Sequence, residues 1–527
     1  MKAKFYENVF FPFQTKRLLR FTWISIILLS FGLSVLAGDD VRQVEVKDAK
    51  QLIKQAEKLA RRGEHSEAEK LLREVIRQDA ANTKAKVMLS YVLLKQRKLN
   101  EAYALAVEVA KTDPKNSRAF ALVGMTLLNF GNFKEAETIL NRAWQINSNE
   151  PLAWAGAGLI NFYENRIEES VQKLQTAEYL DPNDPDVIFA LAQVYSRAER
   201  YKEAADAYNR FLSVSPPTDS DRRNRIKGLI NFLRYLGQKQ ELYKIDSRAK
   251  QTTIPVQILR DRPIMEIGIN GKADKLRFVL DTGSGISVIS ETTAQRLKIK
   301  PVSKGGLARA VGGSGKFEIV YGFLRTVELG DVRVRNVPVY IRKFHDDSER
   351  VDGYIGLSLI SKFLTTIDYG KSTFILTKKD KNSTENFEKE AIALPLRLTS
   401  SGFLSGEVSL PGIETPLNFI VDTGASISVI SSNLANTDQM SRFSIDEKMR
   451  VVGAAGITEN VNSYMIPKVS FGSHTREGIK AIALDLDIIN EASGFEQAGI
   501  LGGNFLKNYR LTFDFQNSRV TFVPVKK

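Results

Sequence analysis

Asp281 and Asp422 each open an Asp-Thr-Gly tripeptide at the end of an apolar run, FVLDTGSGISVIS at 278–290 and FIVDTGASISVIS at 419–431. The two stretches lie 141 residues apart, and from the aspartate onward eight of ten residues are the same. A single Asp-Thr-Gly is an ordinary turn, in which glycine permits a sharp reversal beside a carboxylate. Two carboxylates brought together can do more. One, ionised, activates a water; the other, protonated, donates to the carbonyl oxygen of an amide. Like charges sharing a site cannot both ionise, so their pKa values separate. Asp281 and Asp422 are therefore the candidate catalytic pair, in chemistry that calls for neither metal nor cofactor.

Other reactive groups are sparse. The chain of 527 residues has no cysteine, which excludes disulfide, thiolate and Cys-zinc chemistry and a lipoprotein anchor. Its three histidines, His65, His345 and His474, are far apart in sequence, so neither a metal cluster nor a Ser-His triad is expected. The net charge of +14 is diffuse, apart from nine Lys or Arg against three Asp or Glu between Asp221 and Lys250. That run has a helical pattern and no basic-aromatic motif, so it reads as a solvated helix face and nucleic acid is not expected as a partner.

The elements that must position the pair are β-strands. After Lys250 the pattern becomes short β-rich runs with glycine turns, and it occurs twice. AVGGSG (310–315) aligns with VVGAAG (451–456) at the same offset of 141, while YIGLSLI (354–360) aligns with ILGGNFL (500–506) at 146. Asp368 and Asp514, also 146 apart, precede the last strand of each half and read as structural. The halves are taken as 253–379 and 392–527, joined by a charged linker at 380–391.

Ahead of them runs a second, shorter period. Ala68, Ala102, Ala136, Ser170 and Ala204 are 34 residues apart, and so are Pro114, Ser148, Pro182 and Pro216. Paired helical patterns lie between them, each unit burying its apolar face by stacking on its neighbours. Five repeats and a closing helix pair are expected over 45–250. At the N-terminus, Lys16, Arg17 and Arg20 precede the uncharged stretch 21–38, with Val35-Leu36-Ala37 suited to signal peptidase. Residues 1–37 read as a cleaved secretory signal; the rival is an uncleaved membrane anchor, since about 18 apolar residues just span a bilayer. Both place the rest of the chain outside the cytoplasm.

The 34-residue units resemble tetratricopeptide repeats, with Gly124, Gly158, Tyr91 and Tyr195 where that family has them, although its tryptophan is mostly missing. The resemblance implies a curved solenoid whose concave face holds a peptide or a protein. The β halves resemble the aspartic protease superfamily, most closely its retropepsin-like branch. That implies two closed β-barrel halves in a bilobal pseudo-dimer, so the fold class is an α-helical solenoid followed by all-β domains. It further implies that Asp281 and Asp422 are catalytic. Thr282 and Gly283, with Thr423 and Gly424, would support the catalytic loops. Gly312, Gly313, Gly453 and Ala454 would lie in substrate-binding flaps. The expected function is an exported aspartic endopeptidase acting on a peptide or protein, with the repeats recruiting a partner or substrate. The alternative is a non-catalytic envelope interaction scaffold whose β domains bind peptides. Retropepsin-like enzymes are usually homodimers of one half, so pairing of halves within one chain or between two is open at this point.

Overall fold

The computed structural model describes residues 48–239, 241–313, 316–345, 350–379 and 392–525. The expected signal or anchor at 1–37 and the linker at 380–391 lie outside these residues. No helix among the described residues is long and apolar enough to cross a membrane.

Five helix pairs run from Ala49–Arg61 with His65–Gln78 to Pro185–Arg197 with Tyr201–Val214. Their boundaries follow local chemistry. Asn82 and Asn116 cap helices by accepting from Ala85 N and Ala119 N, and Pro151 and Pro185 occupy first turns. The small residues at the 34-residue step are fully buried where the two helices of a pair meet. A Cβ on Gly124 would lie 2.6 Å from Leu140 Cγ, and one on Gly158 2.7 Å from Leu174 Cγ, so glycine is what lets those helices approach. The solenoid curls until its ends touch: Thr218 Oγ1 donates to Arg62 O at 3.1 Å, and Asp186 of the fifth pair binds both Lys95 of the second pair and, at 2.6 Å, Arg222 Nη1.

The expected closing helix pair is a single helix, Ser220–Leu236. After it the chain turns, and Lys244–Ile245 pairs with Val334 and Arg335 of the first β half. The sequence from Gln238 offers a second helix no apolar stripe; its apolar residues Leu242 and Tyr243 are buried in the β-domain core instead. Nor is the basic run wholly a solvated face. Arg222 binds Asp186 and Asp219, and Arg223 donates to the carbonyls of Leu212 and Ser215.

The β halves share one topology. In the first, Arg262–Ile269, Leu276–Leu280, Gly353–Ile355, Val288–Ser290, Val332–Arg342 and Lys316–Leu329 follow one another, and the ring closes where Arg262–Ile269 meets Lys316–Leu329. In the second, Leu404–Ser409, Leu417–Val421, Gly499–Leu501, Ser428–Ser431, His474–Leu484 and Gly456–Phe471 repeat that order and close in the same place. The two join within the chain. Phe363–Asp368 pairs antiparallel with Tyr509–Asp514 across the pseudo-twofold axis, with Thr366 Oγ1 and Thr512 Oγ1 2.9 Å apart. Strands 373–378 and 251–259 extend this joint sheet on one side, and 519–524 and 392–395 on the other. Asp368 and Asp514 terminate the two central strands and accept from the turn amides of Lys371 and Asn517, at 2.9 and 3.3 Å.

The solenoid is built into both halves. Phe495 of the second half sits in the solenoid core, 4.9 Å from the Phe133 ring and 5.1 Å from Tyr163, and Glu496 N donates to Asn129 O at 2.8 Å. On the other side the helix Ser220–Leu236 lies against the strand Ser303–Arg309 with backbones in contact: a Cβ on Gly228 would be 2.9 Å from Lys304 O, and one on Gly306 2.5 Å from Arg225 O. Phe232 stacks on Tyr321 at 4.6 Å beside that contact.

Candidate active site

The two apolar runs become the strands Leu276–Leu280 and Leu417–Val421, and each delivers its Asp-Thr-Gly to the interface between halves. Beneath each loop passes the short strand of the Tyr-Ile-Gly or Ile-Leu-Gly element. Asp281 N donates to Ile355 O, and Asp422 N to Leu501 O, both at 3.0 Å. A Cβ on Gly356 would lie 2.8 Å from Ser284 O, and one on Gly502 2.6 Å from Ile427 O. Glycine there lets each loop lie flat on its support.

Across the axis the loops hold one another. Thr282 N donates to Thr423 Oγ1 at 3.1 Å and Thr423 N to Thr282 Oγ1 at 3.0 Å. Each hydroxyl then donates to the opposite strand, Thr282 Oγ1 to Val421 O and Thr423 Oγ1 to Leu280 O, both at 2.7 Å. Both threonines are fully buried, so this reciprocal set is shielded from water.

The carboxylates face each other over it. Gly283 N donates to Asp281 Oδ1 at 2.9 Å, and Gly424 N to Asp422 Oδ1 at 2.7 Å. A Cβ on Gly283 would fall 2.5 Å from Asp422 Oδ2, and one on Gly424 2.7 Å from Asp281 Cγ. Each glycine thus supports its own aspartate and makes room for the other. Burial, followed by the neighbouring Asp422 charge, holds the Asp281 carboxyl well above the usual carboxylate range. Burial raises Asp422 as well, opposed by the amides of Gly424 and Ala425 and by the hydrogen bond from Asp281. The pair is therefore disposed to share one proton, carried on Asp281.

Over the dyad come two hairpins. The tips Val311–Gly313 and Gly453–Gly456 touch: Ala455 N donates to Val311 O at 3.1 Å, and Gly313 N to Thr458 Oγ1 at 3.2 Å. Gly312 and Gly313 have φ of 96° and 53°, and a Cβ on Gly312 would lie 3.0 Å from Gly453 Cα. Glycine is required there both by the turn and by the close approach of the tips. Ser314 and Gly315 of the first tip lie outside the described residues.

A family model described as aspartyl protease matches residues 265–359 and 407–505, one stretch in each β half. Tetratricopeptide-repeat models match 59–125 and 93–160, and a YpiA-like tetratricopeptide-repeat model matches 164–214. The chain carries tetratricopeptide repeats followed by two aspartyl-protease-type halves. Among solved structures, similarity is found to a thermophilic TPR protein of Thermus thermophilus (19% identity, 33% of this chain and 95% of that one, TM-score 0.29). It is found also to pilF of Pseudomonas aeruginosa (19% identity, 32% and 76%, TM-score 0.26). No curated protein matches the chain.

All the site residues expected from sequence come together in this protease-type pair: Asp281, Asp422 and their Thr-Gly neighbours at the axis, and Gly312, Gly313, Gly453 and Ala454 at the hairpin tips. Among the described residues no group of His, Asp and Glu is placed to hold a metal. Sequence reasoning passed over Arg342. This half-buried residue ends the strand Val332–Arg342, and its Nη1 donates to Ala454 O at 2.7 Å, tying the first half to the tip of the second hairpin. Its charge acts on Asp281, lowering that carboxyl against the larger effects of burial and Asp422. Its place becomes plain only when the halves are compared by strand register, since Ser290 pairs with Arg342 where Ser431 pairs with Leu484.

Proposed function

We propose that the chain is an exported aspartic endopeptidase. The observation that carries this reading is the facing of Asp281 and Asp422, each held by its own glycine amide and backed by the other half's glycine. In this mechanism Asp422, ionised, takes a proton from a water lodged between the carboxyls. The hydroxyl formed attacks the peptide carbonyl carbon while Asp281 gives its proton to the carbonyl oxygen. The tetrahedral diol collapses with proton transfer to the leaving nitrogen, which departs as the amine. The second product is the carboxylic acid, and no covalent enzyme intermediate forms. The hairpins act as flaps that hold an extended peptide by backbone hydrogen bonds, as an added strand. The solenoid supplies a protein-binding surface on its concave face, and the N-terminal stretch directs export, by cleavage after Ala37 or as an anchor.

The test is digestion of an unfolded protein by the chain from Gly38 onward, between about pH 3 and about pH 8, with Asp281→Asn and Asp422→Asn beside it. Cleavage by the parent and by neither variant is expected. Equal cleavage by either variant removes the dyad. An inert but folded parent leaves the interaction-scaffold reading in its place.

A further inference from the structure

The two β halves are built on one plan and carry opposite chemistry at equivalent positions. Strand register equates Tyr340 with Ile482 and Arg342 with Leu484, since Val288 and Ser290 pair with the first of each and Val429 and Ser431 with the second. Pairing beneath the catalytic loops equates Tyr354 with Ile500 in the same way. On the second-half side, Ile482, Leu484 and Ile500 belong to one apolar cluster, with Ala425 and Ile427 of the Asp422 loop and Val311 of the opposite flap tip packed against it. On the first-half side stands a guanidinium. Arg342 lies 5.4 Å from the Phe317 ring and 5.3 Å from Phe344, and one nitrogen serves the flap carbonyl of Ala454. Its Nε is buried without a hydrogen-bond partner. No carboxylate forms an ion pair with it among the described residues, although buried cations are usually paired. A planar fork with free donors, flanked by aromatic rings and close enough to Asp281 to act on its charge, suits a carboxylate arriving with a ligand.

Resting on the proteolytic reading above, we propose that Arg342 sets substrate choice: the cleft takes peptides with an acidic side chain facing the first half and an aliphatic side chain facing the second, on opposite sides of the scissile bond. A substrate glutamate or aspartate would pair with the Arg342 fork, and its aliphatic neighbour would extend the Leu484 cluster. The aliphatic wall discriminates weakly among apolar side chains, whereas a buried charged donor rejects a neutral isostere strongly.

The test uses decapeptides that differ at one position, Leu-Glu against Leu-Gln and, because either chain direction fits this description, Glu-Leu against Gln-Leu. The parent should cleave the acidic member of one pair about ten- to a hundredfold faster in kcat/KM. Arg342→Gln keeps a donor for Ala454 O and removes the charge; it should abolish the preference, with kcat/KM for the acidic peptide falling at least about tenfold further than for its Gln counterpart. Equal loss on both peptides would mean that Arg342 only braces the flap or tunes the dyad, and would overturn the assignment. Binding of the same labelled peptides to the Asp281→Asn chain separates the two readings. If the parent cuts nothing yet this chain binds the acidic peptide at least tenfold tighter, proteolysis fails and the arginine subsite stands. Equal binding, or none, overturns the subsite.

Discussion

Thr282 and Thr423 exchange hydrogen bonds across the axis, each backbone N–H donating to the other's hydroxyl and each hydroxyl to the other's preceding strand. Replacing Thr282 with Val keeps the shape, strands the Thr423 N–H and frees Val421 O in a water-free site. Each orphaned group costs about 1–3 kcal/mol, so about 3 kcal/mol of stability should be lost on denaturant unfolding. Thr282→Ser, which restores the hydroxyl, should recover most of it. Equal stability of the Val and Ser variants would show that the grip contributes little.

The dyad fixes the sign of a pH effect. Both carboxyls titrate above the ordinary range, Asp281 most of all. The folded state therefore holds more protons than the unfolded state between the free carboxylate pKa and the folded one. Stability from this source is fully present below the unfolded pKa and is lost as pH rises through the folded pKa. Asp281→Asn removes the charge that must be buried at high pH. Its melting temperature should exceed the parent's at neutral pH, and the gap should close on acidification towards about pH 3. Cleavage should fall over the same upper range, as Asp281 loses its proton. A gap that widened in acid would reverse the assignment.

The core of the site was legible in sequence because the duplication wrote it twice: three motifs in the same order locate the loops, their supports and the hairpin tips. The solenoid was equally plain, since a fixed step of 34 residues with buried small residues leaves little choice of fold. Three features were not legible. The closing helix is single because Leu242 and Tyr243 find their burial in the β core, a tertiary fact with no local mark. Phe495 fills the solenoid core from far beyond the last helix pair in sequence, and no sequence period reports that contact. Arg342 looked like one more cation in a basic chain until strand register set it where Leu484 stands in the other half.

Gly283 and Gly424 should be unequal in their tolerance of a methyl group. A Cβ at 283 would press to 2.5 Å on Asp422 Oδ2, and one at 424 to 2.7 Å on Asp281 Cγ. Both contacts lie below van der Waals separation, and a displaced carboxylate of the dyad loses its alignment with water. Gly283→Ala should reduce kcat at least about a hundredfold, with little change in KM for a peptide held by the flaps; Gly424→Ala should follow the same pattern with the smaller loss. Steady-state kinetics on one peptide checks both. An unimpaired Gly283→Ala chain would mean that the carboxyls have more room than this packing allows.

The contact between solenoid and first flap leads to the last expectation. The strand Ser303–Arg309 is one leg of that flap hairpin, and the helix Ser220–Leu236 lies on it through Gly228, with Ser303 Oγ donating to Gly228 O at 2.9 Å. Gly228 has no room for a side chain, since its Cβ would meet Lys304 O at 2.9 Å and the backbone of Gly305 beside it. Backbone cannot step aside as a flexible side chain can, so Gly228→Val must lift the helix and part Phe232 from Tyr321. Overpacking of this kind costs about 1–3 kcal/mol. Hydrogen exchange should report where: amides of 303–309 and 316–329 should exchange faster than in the parent, while those of the second flap, 444–471, which this helix does not brace, should keep the parent's rate. Faster exchange in both flaps alike would indicate general destabilisation, and no change in the first would show that its stiffness does not depend on the solenoid.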